Sequence, residues 1–79
     1  MTKDEIDDVI KSWKTVNKRL AELSEDDVKL AMNREMVGNR RKDMVVRLHQ
    51  RYTILRAARE RQELIDSLAE VPAFLVGAV

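Results

Sequence analysis

The chain has 79 residues, 44% of them hydrophobic and 37% charged, with no cysteine and a formal net charge of +1. That length allows one domain at most, near the lower limit for a self-sufficient core, and the lack of cysteine excludes disulfides and thiolate metal sites. With two glycines, one proline and only Trp13, Tyr52 and Phe74 as aromatics, the chain is short of turn formers for a sheet and reads as all-α.

Thr2-Lys3-Asp4-Glu5 has the form of a capping box and starts the first helix. Behind it Ile6, Val9, Trp13, Val16, Leu20 and Leu23 recur at alternating steps of three and four, an a/d stripe that Ile10 widens and Asn17 edges. This spacing predicts one helix over residues 3–23, about 31 Å long, with Trp13 at the centre of its buried face. Ser24, followed by three acids in the first turn, starts a short helix over 25–37 whose apolar face runs through Val28, Ala31, Met32, Glu35 and Met36. Gly38 is its stop, and Asn39 is the cap of the next helix. A single bent helix running through Gly38 is the competing reading, and a break is favoured.

The last helix is predicted over 40–70, with Pro72 preventing continuation. Met44, Val45, Leu48, Tyr52 and Leu55 share one face, and Ala57, Leu64, Ile65 and Leu68 share another turned well away from it. The first would seat helix 1; the second, with Phe74, would contact another subunit or the tail. Residues 71–79 form an apolar C-terminal tail beyond a single helical domain of residues 1–70. The expected fold is an antiparallel helical hairpin, a small three-helix arrangement with a long third helix and coiled-coil-like packing. Two apolar faces on one helix make self-association the expectation.

Charge is distributed unevenly. Residues 40–63 carry eight bases against three acids, whereas residues 1–39 carry seven bases against nine acids. This points to an anionic partner for the last helix, or to pairing with the acidic helices. Arg40, Arg47 and Arg51 fall in one narrow stripe, and Lys42, His49 and Arg56 on roughly the opposite side; these six are the candidate anion- or partner-binding residues. Arg41 and Arg59 project toward the centre of the apolar face, where an unpaired charge is costly, so they must reach acids such as Glu22 or Glu35 or that face must be open. Gly38-Asn39-Arg40-Arg41 invites comparison with a helix-turn-helix, but Arg34 stands where a small residue would ease close helix packing.

Catalytic constellations are poor. His49 is the only histidine, and Ser12, Ser24 and Ser67 lack any nucleophile context. No metal or cofactor is expected, and a non-enzymatic protein is the reading. Nothing approaches the ~20 apolar residues of a membrane span, and the acidic amino terminus is unlike a signal peptide, so a cytoplasmic location is expected.

The runs Leu23-Ser24-Glu25-Asp26-Asp27-Val28 and Arg47-Leu48-His49-Gln50-Arg51-Tyr52, continuing through Leu55 to Arg61, resemble small all-helical accessory proteins of tailed bacteriophages. The resemblance covers roughly residues 23–63. It implies a bacterial host cytoplasm and a host- or DNA-directed accessory role, and it transfers no functional residues. Three functions stand open on the sequence: a helical binding protein or inhibitor docking on a host or phage protein, a nucleic-acid backbone binder, and a self-assembling structural subunit.

Overall fold

The computed structural model describes residues 1–70, with side chains described to Leu68. It is all-α, with α1 at Lys3–Val9, α2 at Trp13–Arg19, a 3₁₀ turn at Leu20–Glu22, α3 at Glu25–Val37 and α4 at Lys42–Glu70. The tail expected at 71–79, Phe74 included, lies outside the described residues.

The single helix expected over residues 3–23 is instead broken after Val9. Thr2 closes its capping box, accepting from the Glu5 N–H at 3.2 Å while the Glu5 carboxylate accepts from the Thr2 N–H at 3.3 Å. A second start comes soon after. Ser12 is extended (φ −151°, ψ 158°) and its hydroxyl accepts from the Thr15 N–H at 3.1 Å. A serine cap satisfies an otherwise orphaned amide, so it competes directly with continuation of the helix. The break resets the helical phase. Ile6, Val9, Ile10, Val16, Leu20 and Leu23 are still buried, but Trp13, placed at the first position of α2, is 51% exposed. The expectation of a core tryptophan is therefore corrected.

α3 spans the expected residues 25–37, capped by Ser24. Its hydroxyl accepts from the Asp27 N–H, and the Asp27 carboxylate accepts from the Ser24 N–H, each at 3.1 Å. The helix stops at Gly38, whose N–H donates to the Arg34 carbonyl at 3.0 Å. A Cβ built on Gly38 would stand 3.0 Å from that same carbonyl oxygen, a close approach that only glycine meets without displacing backbone. Arg40 then takes the left-handed conformation at φ 55° and donates its N–H to the Glu35 carbonyl at 2.8 Å. Helical geometry cannot resume until the chain leaves that left-handed residue. α4 accordingly begins at Lys42, not at Arg40, and Asn39 is not its cap.

The core consists of Ile6, Val9 and Ile10 from the first segment, Val16, Leu20 and Leu23 from the second, Val28 and Ala31 from α3, and Met44 and Leu48 from α4. Leu30, Met32, Tyr52 and Leu55 pack on its margin. Of the methionines on the predicted apolar faces, Met44 is buried, Met32 is half-buried and Met36 is exposed. α3 and α4 lie against each other, with Glu25 at the start of α3 meeting Arg59 and Glu35 near its end meeting Arg41.

Glu35 is the one buried charged residue among those described, 1% exposed. Arg41 donates to its carboxylate from Nε (3.0 and 3.3 Å) and from Nη2 (2.6 Å). The same Nη2 donates to the Ile10 carbonyl at 2.5 Å, at the end of α1. One guanidinium thus joins α1, α3 and the start of α4. A second bidentate pair, Arg34 with Asp7 at 2.5 and 2.6 Å, ties α3 to α1 from outside.

Three substitutions test this packing. Leu48→Asp places an unpaired carboxylate where a fully buried leucine contributes about 1.5–3 kcal/mol, and is expected to abolish cooperative thermal unfolding by circular dichroism; an unchanged melt would refute the packing described. Arg41→Ala strands the buried Glu35 charge and is expected to cost about 3–5 kcal/mol in urea denaturation. Glu35→Gln leaves a guanidinium that can reach water, and should cost about 1–3 kcal/mol. Equal losses for the last two would show that the burial of Glu35 is not what makes the pair matter.

Candidate binding surfaces

Three of the arginines in residues 40–63 meet acids of the same chain. Arg41 takes Glu35, one of the two acids its position on the apolar face called for. Arg59 reaches back to Glu25 with Nε at 2.7 Å and Nη2 at 3.1 Å, and also to Glu63 on its own helix at 2.9 Å. Arg56 lies 6.0 Å above the Tyr52 ring and 3.5 Å from Glu60. Arg19 bridges Asp8 and Glu22. These contacts set the charge states. The hydrogen bond from Arg34 holds the Asp7 carboxyl below its ordinary value, and that from Arg59 does the same for Glu25. The backbone N–H of Ser24, with its hydroxyl and the amino terminus, lowers Asp27. Arg34 and Arg59 are raised in turn by Asp7 and by Glu25 with Glu63.

The six candidate anion-binding residues do not form one site. Arg40 is exposed in the α3–α4 turn, Lys42 is exposed at the start of α4, and Arg56 is engaged by Tyr52 and Glu60. His49 is exposed, on the lining of the groove that Arg47 and Arg51 share. Arg47 and Arg51, one turn apart, do come together. They line an open groove of about 650 Å³ between α2 and α4, with Asn17, Leu20 and Ala21 opposite and His49, Gln50, Thr53 and Ile54 alongside. The Arg47 Nε donates to the Asn17 side-chain oxygen at 3.1 Å, and the Asn17 amide nitrogen donates to the Trp13 carbonyl at 3.0 Å, which fixes the orientation of that amide. Asp43, one turn before Arg47, forms no ion pair with it. The Arg51 Nε is buried without a hydrogen-bond partner. Asn17 was legible only as the edge of the helix 1 stripe; its partnership with Arg47 needs the break at Ser12.

The second surface is apolar. The described residues have a radius of gyration of 17.0 Å, against roughly 12 Å for a compact chain of this length, and are 53 Å along their longest axis. The excess is the distal half of α4, a 29-residue helix of which only the first part meets the core. There Leu64 (69% exposed), Ile65 (52%) and Leu68 (57%) lie open, with Ile54 (60%) roughly three to four turns before them. At 100° per residue Ile54, Ala57, Arg61, Ile65 and Leu68 share one face. Arg61 is the only charge within that stripe and makes no ion pair among the described residues. Arg61 and Ile54 were not among the sequence candidates. Both fall into the stripe by the same 100° periodicity that the sequence carries.

Among the described residues no helix is long and apolar enough to cross a membrane, and no group of histidine, cysteine or carboxylate side chains could hold a metal ion. No family model, curated protein or solved structure matches the chain.

The lowered carboxylates fix the sign of an acid dependence. Groups whose folded pKa lies below the unfolded value stabilise the fold above the ordinary carboxylate range of about 4, and that contribution is lost as pH falls through the folded values. The urea midpoint is therefore expected to be level between about pH 7 and 5 and to fall below about 4. Glu25→Gln should make the fall shallower; a limb of equal steepness would show that the Glu25–Arg59 pair carries none of it.

Proposed function

We propose that this is a non-enzymatic helical binding protein that docks on another protein through the distal stripe of α4. The observation that carries the reading is that stripe: Ile54, Ile65 and Leu68 exposed on a projecting helix, flanked by exposed Leu64, with one arginine among them. An apolar helix face with a regular three-and-four spacing suits another helix laid alongside it. The occupant is an amphipathic helix of a partner protein that presents a carboxylate to Arg61. Charge favours a partner over a second copy, because the nearby acids of this chain are taken up away from the stripe. Glu60 pairs with Arg56, Glu63 pairs with Arg59, and Asp66 accepts from Gln62 at 2.9 Å. On the resemblance to bacteriophage accessory proteins, the partner is a host or phage protein. The coiled-coil-like packing expected within the chain is, on this reading, completed between chains.

The test uses an amphipathic helical peptide with glutamates placed to face Arg61. The parent should bind it, and Leu64→Glu/Leu68→Glu should weaken binding at least about tenfold, or ~1.4 kcal/mol, with an unchanged melt because both leucines are exposed. Arg61→Glu should reverse the preference toward a lysine-bearing peptide. Binding that survives the double substitution would overturn the reading. Self-association in sedimentation, lost in the same variant, would assign the stripe to a second copy instead.

A further inference from the structure

We propose that the α2–α4 groove binds a nucleoside phosphate, its phosphoryl group held by Arg47 and Arg51. This goes beyond the docking stripe and shares only Ile54 with it. The other half-buried arginines, Arg19, Arg34 and Arg41, each meet an acid. Arg47 and Arg51 meet none among the described residues, although residues one turn apart on a helix are neighbours and like charges there repel. Two positive charges are thus held side by side at the edge of a groove whose other wall, Asn17, Leu20 and Ala21, is uncharged. A phosphate monoester, with a charge near −2 at neutral pH, balances both, whereas a single carboxylate balances one.

Both guanidiniums carry donors that no protein acceptor takes up. The Arg51 Nε is buried and lacks an acceptor, and the Nε and Nη groups of a guanidinium form the fork that phosphate oxygens accept in pairs. A buried donor without a partner marks a place where an acceptor is missing. The Arg47 Nε is held by Asn17, which orients its guanidinium while leaving both Nη groups for a ligand. The groove is far larger than a phosphate ion; at about 650 Å³ it falls within the range of small-molecule sites. Leu20, Ala21 and Ile54 supply an apolar wall for a flat ring, and the Gln50 amide offers the paired donor and acceptor that base edges match. A free nucleotide and a nucleotide unit of a strand present this same chemistry.

Nitrogen–proton NMR of the arginine Nε–H signals tests the site on the full chain, titrated with adenosine monophosphate, inorganic phosphate and a mixed-sequence single-stranded oligonucleotide. The Arg47 and Arg51 signals should shift saturably with adenosine monophosphate at ~1 mM or below, and inorganic phosphate should bind at least about tenfold more weakly. Arg47→Met and Arg51→Met should each weaken nucleotide binding about tenfold or more, while Lys29→Met, the same charge change on α3, should not. Tighter binding per phosphate by the oligonucleotide would identify a strand as the source, and equal binding a free nucleotide. The proposal is overturned if no saturable shift appears by ~10 mM ligand, if inorganic phosphate binds as tightly as the nucleotide, or if Arg51→Met binds like the parent with its circular dichroism unchanged.

Discussion

The fold depends on where one guanidinium goes. Arg41 stands just outside α4, after a residue in the left-handed conformation, and reaches both the buried Glu35 carboxylate and the Ile10 carbonyl. Neither acceptor is tolerable alone. A carboxylate that is 1% exposed must be paired, and the carbonyls at the end of a helix need donors. Arg41 meets both needs at once, and so couples the end of α1 to the turn between α3 and α4. The unusual backbone of that turn serves this reach: Gly38 comes close to the Arg34 carbonyl, and the Arg40 N–H caps the Glu35 carbonyl.

The remaining charges are arranged around this centre. Asp7 with Arg34 and Glu25 with Arg59 fasten the two flanks of α3 to α1 and α4. Such partly exposed pairs add little each in water. They do, however, select which acids face which helices, and so set the register of α3 between its neighbours. Of the eight bases in residues 40–63, Arg41, Arg56 and Arg59 are paired with acids of the chain. The other five make no ion pair among the described residues: Arg40 and Lys42, exposed around the start of α4, the two half-buried arginines at the α2–α4 groove, and Arg61 in the distal stripe.

The length of α4 creates the other surface. A core of ten buried hydrophobic residues covers a helix only as far as its last contact, here near Leu55 and Arg59. Beyond that point α4 continues for further turns with good helix formers and i,i+4 pairs such as Arg59–Glu63 and Gln62–Asp66. Local interactions thus keep the helix intact after tertiary contacts have ended. The apolar side chains it carries are left for another molecule to cover.

Much of this was legible from residue order, because it is local. The capping boxes at Thr2 and Ser24, the bounds of α3, the stop at Gly38 and the buried register of Leu48 all arise from interactions within a few residues. The two faces of α4 come from periodicity alone. The bend after Val9 did not, even though Ser12 is a good cap, because an unbroken three-and-four stripe argued equally well for one straight helix. What decided between them was distant in sequence: Arg41 supplies a donor to the Ile10 carbonyl from 31 residues away, and Arg34 holds Asp7 from 27. The exposure of Trp13 and the pairing of Asn17 with Arg47 are consequences of that bend. The sequence by itself determined where helices can start and which residues are apolar, since caps and 3.6-residue periodicity are properties of a short segment. Only the tertiary structure decided which cap prevails and which arginines are left without an acid, since both depend on groups that folding alone brings together.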